Sequence, residues 1–217
     1  MTPRTTEFRI RLATAGDAPL LTGVSAALFA QAFAADNRPE DMAAYLAGAF
    51  AEDKQRAELE DPEGRVWLAE GPQGEPVGYA HLRLGARSPA VHSARPAELA
   101  RIYADRAWHG RGVGPELLAA CIGAARAWEA DVLWLAVWER NARAIAFYER
   151  HGFRAVGSQS FRLGTDDQRD RVMARPLDRG AEAGTEAGAE AAADEESAGA
   201  EGDVASTPAG KRSRDGT

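Results

Sequence analysis

The sequence predicts a mixed α/β fold built as a single domain, and three observations carry that reading. Strand-like alternation and helix-like spacing follow one another through residues 1–177. A glycine-rich turn in "WHGRGVGPELL" joins one of the strands to one of the helices. From Asp178 the composition changes: residues 178–217 hold no aromatic residue and one large aliphatic, Val204. Such a segment buries too little apolar surface to offset the entropy of ordering, so a disordered tail is expected there. The domain is therefore drawn as 1–177 and the tail as 178–217.

"FRIRL" alternates like a half-buried strand, and "TAGD" follows with Thr14 and Asp17 spaced as a helix cap and an acidic first-turn residue. Residues 17–33 are alanine-rich and apolar enough for the helix that this cap would open. "RPEDMAAYLAGAFAEDKQRAEL" begins with proline and acids and sets Met42, Tyr45, Leu46, Ala49 and Phe50 on one face, which predicts a second helix. "RVWLAE" and "PVGYAHLRL" flank the turn "GPQGE" and form a strand pair. "ELARIYA" is a strand ending near Ala104, "GPELLAACIGAARAWEA" a helix beginning near Pro115, and "VLWLAVW" a buried strand. "ARAIAFYERHG" is a short helix stopped by Gly152. Two strands, "FRAVGSQSFRLG" and "RDRVMARPL", close the domain around the polar turn "TDDQ". That makes four helices among seven strands.

The chain is 45% hydrophobic and 27% charged, an ordinary balance for a protein with a substantial core. Its first residues lack the apolar run of a signal peptide, and no stretch reads as the roughly 18 apolar residues that cross a bilayer. A cytoplasmic protein with no membrane contact is the expectation. Cys121 is the single cysteine, which rules out an internal disulfide and a cysteine-based metal cluster. Beside Leu117, Leu118 and Ile122 it reads as a buried small hydrophobe rather than a nucleophile. Of the 33 acidic and 26 basic residues, ten and four fall in 178–217, leaving 23 and 22 in the domain. A nearly neutral domain gives no reason to expect nucleic acid.

Gly110, Gly112 and Gly114 place side-chain-free amides at the positive end of the following helix, where they can converge on an anion such as pyrophosphate. The spacing does not fit a Rossmann dinucleotide loop, because the third glycine arrives one residue early and the next strand ends in "VWER". A Walker loop is excluded by the absence of Gly-Lys-Ser/Thr. Taken alone, such a loop is either a phosphate cradle or structural punctuation.

"ELARIYADRAWHGRGVGPELL" followed by "LWLAVWERNARAIAFYERHGF" resembles the GCN5-related N-acetyltransferase family. The family's pyrophosphate motif, Gln/Arg-x-x-Gly-x-Gly/Ala, falls on His109, Gly112 and Gly114, with His109 departing from the usual Gln or Arg. The resemblance implies a sheet split by an acetyl-CoA cleft between "ELARIYA" and "VLWLAVW". Backbone groups of Ile102, Tyr103 and Ala104 would pair with the pantetheine arm, and the loop from His109 and Gly110 through the amides of Arg111, Gly112, Val113 and Gly114 would hold the pyrophosphate. Asn141 matches a cofactor-contacting asparagine and can also cap the next helix. Tyr148 matches the tyrosine that protonates the departing thiolate; from the residues alone it is a core aromatic beside Ile145. No metal is implied.

Transfer to an amine needs a neutral nucleophile and a proton for the leaving sulfur. Glu98 stands where histone-type relatives carry their catalytic glutamate, which implies a base, possibly acting through water; its other reading is a solvated strand-end carboxylate. His81 is a weaker candidate, a partly buried strand residue otherwise. "FAQAFAADNRPEDMAAYLAGAF" and "FRLGTDDQRDRVMARPL" resemble bacterial PaiA-type spermidine/spermine N-acetyltransferases, in the segments where the family builds its acceptor site. Asp36, Glu40, Asp41, Asp166 and Asp167 would suit an extended cation, or serve singly as turn and helix-start residues. The expected activity is direct acetyl transfer from acetyl-CoA to a primary amine, above all spermidine or spermine, by a monomer or homodimer. The alternatives are transfer to a peptide or protein amine, and a non-catalytic acyl-CoA-sensing module.

Overall fold

The computed structural model describes residues 7–177; the tail read as disordered, 178–217, lies outside them. Seven strands form one sheet: β1 (Arg9–Leu12), β2 (Gly64–Glu70), β3 (Pro76–Leu84), β4 (Pro96–Ala104), β5 (Val132–Trp138), β6 (Arg154–Leu163) and β7 (Asp166–Pro176). Their order across the sheet is β1-β2-β3-β4-β5-β7-β6. Neighbours run antiparallel except β4 and β5, which are parallel. Five α-helices pack on it: α1 (Ala18–Phe33), α2 (Pro39–Ala49), α3 (Glu52–Glu60), α4 (Val113–Ala127) and α5 (Ala142–Arg150).

Side-chain alternation divides the core between the two faces of the sheet. Ala80, Leu82, Leu99, Ile102, Leu133, Leu135 and Val137 bury against Leu117, Leu118 and Cys121 of α4 and Ile145, Phe147 and Tyr148 of α5. The opposite parity sends Val66, Leu68, Tyr79, Tyr103 and Trp138 toward Leu21, Leu28, Phe29 and Phe33 of α1 and Met42 of α2. Cys121 is fully buried and burial pushes its thiol up, as its apolar neighbours implied.

Thr14 and Asp17 form the expected cap, but on a 3-10 turn, Ala15–Asp17, that precedes α1 rather than on the α-helix itself. Asp17 accepts from the Thr14 N–H at 2.8 Å and from the Arg11 guanidinium, and the arginine holds its carboxyl far below the usual range. The long second helix does not form as one piece. Phe50 leaves helical geometry to bury its ring among Phe29 and Tyr45, Ala51 is extended, and α3 restarts with Glu52 and Asp53 in its first turn. The closing hairpin turns earlier than "TDDQ" suggests, at Gly164 and Thr165, with Leu163 paired to Asp166. The helical run Ala15–Asp36 is 22 residues long and apolar enough by length and composition to cross a bilayer, which corrects the reading that no stretch approaches this. Here it buries Leu21, Leu28, Phe29 and Phe33 in the domain's own core.

One glycine fixes where the sheet meets α4. A Cβ on Gly78 would lie 2.7 Å from the Tyr103 carbonyl oxygen and 3.0 Å from Val113 Cγ1, so β3 can approach the end of β4 this closely because it lacks a side chain there. Gly78→Ala is expected to cost about 2 kcal/mol, because backbone rather than a side-chain tip must move. A thermal melt unchanged from the parent protein would show that the strands accommodate the methyl group.

Candidate active site

The site begins where β4 and β5 stop pairing. Their ladder contains Pro96 with Val132, Ala97 with Leu133 and Glu98 with Trp134, and goes no further. Beyond it β4 stays with β3 to Ala104, while β5 stays with β7 to Trp138. A register shift leaves Ala100 as the extra residue of β4 between Leu99 and Arg101, and such a bulge sharpens local twist and turns the strand away from its neighbour. The result is a wedge-shaped opening with one edge of β4 along it.

The Asp105 N–H donates to the Val77 carbonyl at 2.9 Å. Antiparallel alternation then directs the backbone groups of Tyr103 to β3 and turns those of Ile102 and Ala104 into the opening. The three residues named from the sequence thus divide: two present backbone, and Tyr103 presents its ring to the α1 face.

The loop after β4 is held from outside by α1. Gln31 accepts from the Arg106 N–H at 2.9 Å and donates to Asp105 at 3.3 Å. Gly110 and Gly112 have φ of 77° and 91°, a region that residues with a Cβ rarely adopt. With Gly112 as its N-cap, α4 begins at Val113, two residues before the expected Pro115. The amides of Gly112, Val113 and Gly114 gather at the positive end of this 15-residue helix. Arg111 differs: its N–H donates to the Trp108 carbonyl at 3.3 Å, and its guanidinium lies over the Trp108 ring and pairs with Glu7.

His109 spans the mouth of the opening. An Arg143 N–H donates to Nδ1 at 2.9 Å, and because arginine cannot accept, the ring proton sits on Nε2 and reaches the Ala104 carbonyl at 3.2 Å. The residue that departs from the motif therefore links the end of β4 to the first turn of α5. Asn141 caps α5, its Oδ1 accepting from the Ala144 N–H at 3.0 Å, so its NH2 end is what remains to meet a cofactor. Tyr148 is fully buried on α5, edge-on to Phe147 and Phe153, and within electrostatic reach of Tyr103 from the other face.

Glu98 is the last paired residue before the strands part. It is buried rather than solvated, 3.1 Å from Arg83, with Oε1 lacking a hydrogen-bond partner among the described residues, and burial pushes its carboxyl up. Its cross-strand neighbour Trp134 is roofed by Ala86, Ala90 and Val91 and donates Nε1–H to the Ala86 carbonyl. His81 is fully rather than partly buried, and burial, then Arg101, hold it neutral. Its Nδ1 accepts from Arg101 at 3.2 Å, which leaves it poorly suited to take a proton.

The five acids suggested for a cationic acceptor do not act as a group. Asp41 is buried and accepts from Thr165 N–H and Oγ–H, tying α2 to the closing hairpin. Glu40 pairs with Arg38, Asp167 with Arg162, and Asp166 accepts from Gln168. Asp36 is exposed on the turn after α1. Sequence reasoning passed over a second set on the α1 to α3 face: Tyr45, Glu58, Tyr79, Arg101 and Asp170. Arg101 is buried between Glu58 and His81, and Asp170 is fully buried. The available signal was parity, since Asp170 shares the inward face of its strand with Val172 and Ala174.

The model of the acetyltransferase (GNAT) family matches residues 30–153. An N-acetyltransferase of Lactobacillus delbrueckii subsp. lactis is 34% identical over 161 residues, covering 74% of this chain and 92% of its own length. A spermine/spermidine N(1)-acetyltransferase of Bacillus subtilis is 29% identical over 90 residues, 41% of this chain and 59% of that protein. Among solved structures, the PaiA N-acetyltransferase of Thermoplasma acidophilum in complex with coenzyme A is similar with a TM-score of 0.62 at 17% identity, covering 78% of this chain and 98% of that one.

Proposed function

This chain belongs to the acetyltransferase (GNAT) family, and from that premise we propose that it moves the acetyl group of acetyl-CoA onto a primary amine of a polyamine such as spermidine or spermine. The observation that carries the reading is the parting of β4 from β5 beyond Glu98, with a glycine cradle at its mouth. The partial match to the Bacillus subtilis enzyme supports the polyamine.

In this reading the backbone of Ile102 and the N–H of Ala104, whose carbonyl His109 already meets, pair with the pantetheine arm as with an added strand, and the amides of Gly112, Val113 and Gly114 hold the pyrophosphate. The acceptor ammonium gives up a proton, to Glu98 through water. Its nitrogen attacks the thioester carbonyl carbon, the C–S bond breaks as Tyr148 donates a proton to the departing sulfur, and the second proton shed by the attacking nitrogen, as the amide forms, returns Tyr148 to its neutral form. A carboxylate raised by burial suits the first role, because a base whose pKa lies nearer the working pH is better matched to an ammonium.

The test is a panel of polyamines, monoamines and peptide N-termini, followed by release of CoA thiol. Release that saturates with spermidine or spermine is expected. Release with peptide amines alone would replace the polyamine, and no release from protein that binds acetyl-CoA would remove the transferase assignment.

A further inference from the structure

The α1 to α3 face of the sheet holds polar atoms that core packing does not account for. Both carboxylate oxygens of Asp170 are buried without a hydrogen-bond partner among the described residues; Tyr79, Ser25 and Arg101, buried on the same face, meet one another. These atoms share one region: Tyr79 interacts with Ser25 and Arg101, and Tyr45 lies within electrostatic reach of Arg101, Tyr79 and Asp170. A buried, unpaired carboxylate is costly to a fold and is retained where a ligand supplies what the protein withholds.

The charge balance says which ligand. Arg101 is committed to Glu58 and His81. No cationic side chain among the described residues contacts Asp170, and the charge that acts on it is Glu139, of like sign. The surplus is therefore negative. Aromatic rings stand beside it: Trp138 is its cross-strand partner on β5, backed by Phe33, and Tyr45 of α2 is backed by Phe161. A carboxylate among aromatic rings is a chemical match for an ammonium group.

We propose that Asp170 anchors one ammonium group of the acceptor, and that the site therefore takes a diamine or longer polyamine whose second amine is presented to the thioester. The inference rests on the N-acetyltransferase reading and names the residue that selects a doubly charged acceptor. It also moves recognition from the five acids read in the sequence, four of which are met by the protein's own groups, to Asp170, which is not. No bond is made or broken at Asp170; the ammonium keeps its proton while bound there.

Asp170→Asn tests it in two ways. In steady-state assays the KM for spermidine should rise at least about tenfold, with the KM for acetyl-CoA unchanged and the rate with a simple monoamine unchanged. A spermidine KM within about twofold of the parent overturns the anchor. Absence of turnover with every amine, in the parent protein as well, would instead remove the transferase reading. Independently of turnover, spermidine should raise the Tm of the CoA-saturated parent protein and not that of the variant; equal shifts in both, or none in the parent, overturn the proposal. Because the substitution removes an unpaired buried charge, the variant should melt as high as the parent or higher. A lower Tm would make Asp170 structural and likewise overturn it.

Discussion

Tyr148→Phe is expected to lower kcat by about 10²- to 10³-fold while leaving acetyl-CoA affinity within about twofold. The phenol sits on α5 with its ring wedged between Phe147 and Phe153, wholly out of solvent. Phenylalanine keeps that packing and removes one oxygen, so the fold and the glycine cradle, which ends 34 residues earlier in the sequence at Gly114, should be undisturbed. What disappears is the phenolic O–H proposed as the proton donor, on the face of the sheet opposite Tyr103. Tyr148→Ala would confuse the result, since truncating a buried aromatic costs about 3 to 5 kcal/mol and would move α5 as well. Single-turnover release of thiol, with acetyl-CoA binding measured by calorimetry on the same preparation, separates the two quantities. Turnover equal to the parent would take the acid role away from Tyr148 and return it to the core aromatic that its neighbours alone suggest.

Much of this site was legible in the sequence because its parts are local. The "HGRGVG" loop needs no tertiary knowledge, since Gly110 and Gly112 declare positive φ and the helix after them supplies the dipole. Asn141 announces its cap by standing ahead of "ARAIAFYER". The wedge between β4 and β5 is different in kind: parallel strands separated by a helix pair or part according to bulges and registers that neither segment encodes by itself. The break between α2 and α3 was hidden for a similar reason. Gly48 stands in the last turn of α2 without a positive φ, and what stops the helix is the burial of Phe50 against α1, although the acids Glu52 and Asp53 fit a new N-terminus. His109 read as a defect in a motif because its partners, Ala104 and Arg143, lie five residues before it and 34 after it. Asp170 was overlooked among "RDRVMARP" because its neighbours on either side are arginines, which in a strand point to the other face.

The same aspartate should give the protein an unusual pH dependence. Burial, and then the nearby Glu139, raise the Asp170 carboxyl to about 7 from an ordinary value near 3.8. The folded state therefore holds a proton that the unfolded chain releases from about pH 4 upward. Stability contributed by this group is full below pH 4, is lost progressively as pH climbs to about 7, and stays lost above that, a total of about 4 kcal/mol. Other groups run against it. Asp17 and Glu70, held down by arginines, and His81, held neutral by burial, each cost stability as pH falls. The raw profile of the protein is their sum, and the contribution of Asp170 emerges from the difference between the parent and Asp170→Asn, in which the other groups cancel. Tyr45, Arg101 and Glu58, which stand on the same face of the sheet, are present in both proteins. Between pH 5 and pH 8 the stability of the variant relative to the parent should grow by about 3 kcal/mol in urea titrations. A difference that stays flat across that range would mean that the carboxylate is ionised in the fold at pH 5 as it is in the unfolded chain. The buried oxygens would then need a partner, and an incoming ammonium would find Asp170 already neutralised.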